Sequence, residues 1–158
     1  MVQASGPAPN GNEEPVDEID FHLDQMAMRM NVTLPAKVEA VDATVERIMA
    51  VVRKIECANG KEPEIELALR EALANAVTHG AHRDPSKSVQ CCVACEEAKG
   101  MLIIVRDPGN GFDPLDIPNP TVGENLYSNH GRGIFLINQL MDEVQFHKNG
   151  TEIHMRKY

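Results

Sequence analysis

The tightest constraint on how this chain folds is a pair of helical stripes followed at once by a pair of strand patterns. Val38, Val41, Val45, Ile48, Val52 and Ile55 recur at spacings of three and four, which lines one face of a helix. After the break at Asn59-Gly60 comes a second stripe, Ile65, Leu69, Ala72 and Ala76, with Pro63 suited to a first helical turn and Gly80 to an exit. Ser88 to Glu96 then alternates strictly, and Met101 to Val105 is one apolar run of the kind found in a central or doubly covered strand. Helices that follow each other directly, and strands that do the same, are incompatible with the regular strand-helix alternation of a doubly wound fold. They predict helices layered on one face of a mixed sheet, an α+β two-layer sandwich.

The remaining elements fit that frame. Ala27 to Leu34, ahead of Pro35, reads as a strand, and Gly131-Arg132-Gly133 opens a third helix with Ile134, Ile137, Leu140, Met141 and Val144 on its inner face. A hairpin closes the chain, Glu143–His147 and Thr151–Lys157 around Asn149-Gly150. Residues 1–18 are rich in Gly, Pro and acids and are expected to be a disordered acidic arm ahead of a domain spanning 19–158. Between Asp107 and His130 the chain turns to Pro, Gly and polar residues without periodicity. A loop that long is usually functional, and a lid is expected at about 112–130.

Composition limits the function classes. At 158 residues and 42% hydrophobic the chain suits one domain, and no apolar run nears the roughly 18 residues of a membrane span. Fifteen basic residues against 24 acids, net −9, argue against direct nucleic-acid binding, which needs clustered Lys and Arg. The N-terminus lacks the basic and apolar start of an export signal, so a cytoplasmic location is expected. Cys92 and Cys95 form a C-x-x-C, but no second ligand pair follows as zinc would need. Buried, reduced thiols on a strand face are the better reading. The six histidines are scattered without metal spacing.

Three short motifs carry chemistry. Glu71 and Asn75 sit one turn apart on the second helix, where a carboxylate and a carboxamide can hold Mg²⁺ or its waters and the carboxylate can accept a proton. Asp107 ends the apolar strand, an acceptor for a ligand amine, with Gly109 and Gly111 allowing close backbone approach. Gly131 and Gly133 lie at a helix N-terminus, which favours an anion, and Arg132 adds a charge-assisted contact. Taken singly, each fits a plain alternative as well: a solvated helix face, an Asp-Pro-Gly turn, a glycine-rich helix entry.

Taken in order, E-x-x-x-N, D-x-G-x-G and G-x-G resemble the ATP-binding boxes of the GHKL superfamily, whose fold is the Bergerat sandwich with a mainly antiparallel sheet. The runs Glu66 to Gly80, Gly111 to Pro114 and Gly131 to Ile137 are similar to the RsbW and SpoIIAB type of anti-sigma-factor serine/threonine kinase. So are Met141 to Val144 and Asn149 to Glu152. The resemblance implies ATP and Mg²⁺ as ligands, Asn75 as metal ligand and Glu71 as the base toward a serine or threonine hydroxyl. It also implies that Asp107 takes the adenine amino group with Thr151 beside it, that Gly109 and Gly111 shape the adenine pocket, and that Gly131 to Gly133 cap the phosphates. It implies a homodimer that sequesters a sigma factor and phosphorylates an anti-anti-sigma protein of the STAS type. The alternative is a nucleotide-binding regulatory module that controls its partner without phosphotransfer, against which the intact motifs count.

Overall fold

The computed structural model describes residues 19–24, 27–96, 99–111, 113 and 129–158. The elements run β1 (Ile19–Asp24), β2 (Ala27–Pro35), α1 (Val38–Ile55), α2 (Glu62–Asn75), a π-helical turn (Ala76–Gly80), β3 (Ser88–Glu96), β4 (Gly100–Arg106), α3 (Asn129–Leu140), β5 (Glu143–His147) and β6 (Glu152–Lys157). The expected acidic arm, 1–18, and all of the expected lid but Asp113, Asn129 and His130 lie outside the described residues.

The six strands form one sheet in the order β1-β2-β3-β4-β6-β5, and every pairing is antiparallel. The α+β sandwich is therefore as expected, but the sheet is antiparallel throughout rather than mixed. The reason is local: β2 pairs with β1 on one side and β3 on the other, and the α1–α2 hairpin returns the chain in the antiparallel sense. β1 is an additional edge strand, pairing Phe21 with Met30.

Register lines up the core. Met30, Val93, Ile103, Met155 and Val144 form one row across the sheet, and Val32, Cys91, Val105, Ile153 and Phe146 form the next. Onto these rows α1 lays Val45, Ile48, Met49 and Val52, α2 lays Ile65, Leu69 and Leu73, and α3 lays Ile137, all buried. Val38, the first residue of α1, falls outside this face and is 51% exposed. The helices end where their chemistry dictates. Left-handed Glu56 closes α1 with its N–H on the Arg53 carbonyl, while Arg53 and Lys54 complement the negative end of the dipole. Pro63, Glu62 and Glu64 occupy the first turn of α2. Two exposed ion pairs, Arg53–Glu66 at 2.9 Å and Arg70–Asp42 at 3.0 Å, bridge these two helices.

α2 does not stop at Asn75 but widens into the π-turn, whose wider bond runs from the Ala81 N–H to the Ala76 carbonyl at 2.8 Å. The extra residue swings His79 and Gly80 toward the end of β4. On the outer sheet face, Glu152 is nearly fully buried and accepts from Arg106 at 2.6 Å, with Lys148 at 3.3 Å and His154 at 2.5 Å. Burial alone would raise this carboxyl; the hydrogen bonds from His154, Arg106 and Lys148 outweigh it and hold it at about 2.

Candidate functional site

Glu71 and Asn75, one turn apart, face α3. Gly133 lies in the second turn of that helix, and a Cβ built on it would stand 2.9 Å from Asn75 Nδ2 and 3.0 Å from Glu71 Oε2. The absent side chain is what lets the α3 backbone approach both polar groups. α3 begins at Asn129, so Gly131 and Gly133 lie inside its first turns rather than ahead of it. Both glycines are buried, while Arg132 between them points to the exposed side.

Asp107 follows β4 and is fixed from both directions. Its own N–H donates to the Thr151 carbonyl at 2.9 Å, and its Oδ1 accepts from the Gly109 N–H at 2.8 Å. Gly80, at the end of the π-turn, packs so closely on the Asp107 carboxyl that any Cβ would overlap it, and Gly109 packs equally closely on the Gly80 carbonyl. Burial raises the Asp107 carboxyl above its ordinary range, opposed by the Gly109 N–H and the nearby His82. Gly111 adopts φ +78° against the Asn149 carbonyl, a conformation and an approach that exclude a side chain. Thr151 Oγ1 donates to the Lys148 carbonyl at 2.8 Å, so its hydroxyl proton serves the β5–β6 turn.

These groups converge on a cavity of about 270 Å³. Its apolar wall is Ala72, Val105, Ile134, Ile137, Phe146 and Ile153; its polar groups include Asn75, His79, Asp107, Asn110 and Thr151. A mostly apolar slot with a few placed polar groups is the makeup of a small-molecule site. Of the residues singled out in the sequence, Asn75, Asp107, Gly111 and Thr151 line this cavity. Glu71 and Gly133 meet beside it at Asn75, and Gly109 supports Asp107 from behind. Gly131 and Arg132 are not among the lining residues; they stand in the first turn of α3 next to Gly133.

Gly80, His82 and Asn110 join the site without having been singled out for it. Gly80 carried a signal, a glycine at a helix exit, but its partner Asp107 is 27 positions away and is met only through the π-turn. His82 and Arg83 carry none, because their successive left-handed φ values of 53° and 56° are unusual for those residues. Together with desolvation, which is the larger cause, Arg83 and His82 lower the His79 imidazole pKa.

A carboxylate in an apolar wall can accept from an amine, and a carboxamide beside a second carboxylate offers hard oxygen ligands. Among the described residues no group of three His, Cys, Asp or Glu could hold a metal ion. A cation at Asn75 would thus take most of its ligands from a bound phosphate and water, which is how Mg²⁺ is commonly held.

The sequence from 34 to 157 matches the model of the histidine kinase-like ATPase domain. The chain belongs to that family. Its antiparallel sheet with three helices on one side is consistent with a GHKL-type fold. Among relatives of this ATPase domain, the anti-sigma F factor of Bacillus cytotoxicus is 32% identical over 142 residues, covering 86% of each chain. The serine-protein kinase RsbW of Bacillus thuringiensis and that of Bacillus cereus are each 30% identical over 140 residues, 82% of this chain and 84% of theirs. The ATPase domain here is thus similar over most of its length to an anti-sigma factor and to serine-protein kinases. Among the described residues it has no helix long and apolar enough to cross a membrane.

Proposed function

We propose that the protein is an ATP-dependent protein serine/threonine kinase that sequesters a sigma factor and phosphorylates a STAS-type anti-anti-sigma protein. The observation that carries this reading is the meeting of Glu71 and Asn75 at Gly133, directly beside a cavity whose wall holds Asp107. Mg-ATP supplies the phosphoryl group and the charge that offsets its oxygens. The cavity fits it: an apolar wall for the base and an acceptor for its amino group, with the first turns of α3, where Gly131 and Gly133 stand, beside Asn75 on the side where the phosphates would lie.

Each residue then has a definite task. Asp107, oriented by Gly109 and Thr151, accepts the adenine amino group, and Asn75 holds the cation through its side-chain oxygen. Glu71 takes the proton of the attacking serine or threonine hydroxyl. In phosphoryl transfer the protein mostly positions groups and stabilises charge, so these few suffice. The similarity to anti-sigma kinases supports the choice of partners, and with them a homodimer acting in the cytoplasm.

The test is phosphate transfer from Mg-ATP to candidate STAS proteins, with Glu71→Gln as the control. Transfer should fall by roughly 10²–10⁴ in that variant while ATP binding is retained. Equal transfer by both proteins would remove Glu71 from the role of base. Binding of ATP and partner without any transfer would favour a regulatory module that works by binding alone.

A further inference from the structure

The four cysteines take no part in the site above, yet two of them meet across the molecule. Cys57 lies in the turn after α1, between left-handed Glu56 and Asn59, and Cys95 lies next to the last residue of β3. The Cys95 thiol donates to the Cys57 carbonyl at 3.5 Å, which brings the sheet thiol against the backbone of the cysteine after α1. All four cysteines are free, and these two are half-buried.

We propose that Cys57 and Cys95 are a disulfide-forming pair, closed by a small-molecule disulfide such as glutathione disulfide into a staple between the helical layer and the sheet. The exchange balances in two steps. One cysteine sulfur attacks the oxidant, forms a mixed disulfide and expels one glutathione thiol; the second sulfur attacks that mixed disulfide and expels the other. Two S–H bonds are lost, one protein S–S bond forms, and the two electrons and two protons leave on the two glutathiones.

The three cysteines of β3 cannot pair with one another. Cys91 and Cys92 are neighbours on opposite faces of β3. Cys92 and Cys95 also face opposite ways, and Cys91 is four residues from Cys95 along the strand, about 13 Å and far beyond the reach of a disulfide. Burial, reinforced by the neighbouring Cys95, pushes the Cys57 thiol up to about 12, so exchange is slow at neutral pH and quickens as pH rises. Cys95 pairs with Met101, whereas the cavity wall begins at Val105, again four residues and about 13 Å along. The staple therefore closes at the end of the sheet away from the ligand cavity.

The full chain would be incubated under native conditions with glutathione disulfide, quenched with acid, alkylated and mapped by mass spectrometry. The expected product has lost 2 Da, contains a Cys57–Cys95 linked peptide, and melts about 5–10 °C higher than reduced protein. Cys57→Ser and Cys95→Ser should each abolish both effects, and Cys92→Ser should abolish neither. Free Cys57 and Cys95 in fully reacted protein that keeps its far-UV circular dichroism would overturn the proposal. So would a linked peptide without a rise in melting temperature, or loss of fold on oxidation.

Discussion

At Gly133 a single hydrogen occupies the place of a methyl group. The atoms a methyl would meet are Asn75 Nδ2 and Glu71 Oε2, the ends of movable side chains rather than backbone. Gly133→Ala is therefore expected to displace the two polar groups more than the helix. Stability should change by less than about 1 kcal/mol, since alanine is the better helix former, while phosphotransfer falls at least tenfold. Chemical denaturation and a transfer assay on the same preparation separate the two effects; equal losses in both would contradict this reading of Gly133. Asp107 makes the opposite point. Its folded pKa is raised by burial, so its contribution to stability is present below the unfolded value of 3.8 and is lost as pH rises through the folded one. At pH 7 the ionised carboxylate is held at a cost, and Asp107→Asn keeps an acceptor for the Gly109 N–H. That variant should be slightly more stable without ligand, by under about 1 kcal/mol, with the gain shrinking toward acid pH in denaturant titrations.

At the scale of elements, α1 contains a group with no counterpart in the sequence pattern. Thr44 is buried in the core-facing stripe, and its hydroxyl has no hydrogen-bond partner among the described residues. Thr44→Val removes that unsatisfied oxygen at nearly constant volume and should raise unfolding free energy by about 1 kcal/mol; a loss measured by denaturation would show that the hydroxyl is satisfied in solution. The stripes that gave α1, α2 and α3 were legible because burial repeats with the helical period, β2 and β3 because their residues alternate, and β4 because it is one short apolar run, whose alternate burial the structure then shows. β1 was not, since an edge strand is fixed by its partner: Ile19 to Asp24 has no turn signal of its own and takes its register from β2. A mainly antiparallel sheet was expected; that every pairing among the described strands is antiparallel depends on how the α1–α2 hairpin returns the chain. In the site, Glu71, Asn75 and Asp107 stood out only through the order of the three motifs and their resemblance to ATP-binding boxes, since each taken singly fits a plain alternative. Gly80 and His82 did not, because the π-turn that carries them to Asp107 adds one residue per turn and leaves no periodic trace.

Across the whole molecule the two faces of the sheet do different work. The inner face packs the helices and ends in the cavity; the outer face gathers Arg106, Lys148 and His154 around Glu152. Arg106 immediately precedes Asp107, so this ionic cluster anchors the strand end that presents the candidate adenine acceptor. Because the Glu152 pKa is depressed from 4.5 to about 2, its stabilisation is complete above the unfolded value and disappears as pH falls through the folded one. Glu152→Gln should cost about 1–3 kcal/mol at neutral pH, and the two proteins should converge in stability between pH 4.5 and 2 when followed by acid denaturation.

The central claim is that the cavity between α2, α3 and β4 receives adenine nucleotide through Asp107. Calorimetric titration of Mg-ATP into the wild type and Asp107→Asn tests it directly. ATP should bind saturably to the wild type and at least tenfold more weakly to the variant, the cost of losing a charged acceptor for a buried amine. Identical affinities in the two proteins, or no binding to the folded wild type, would contradict it.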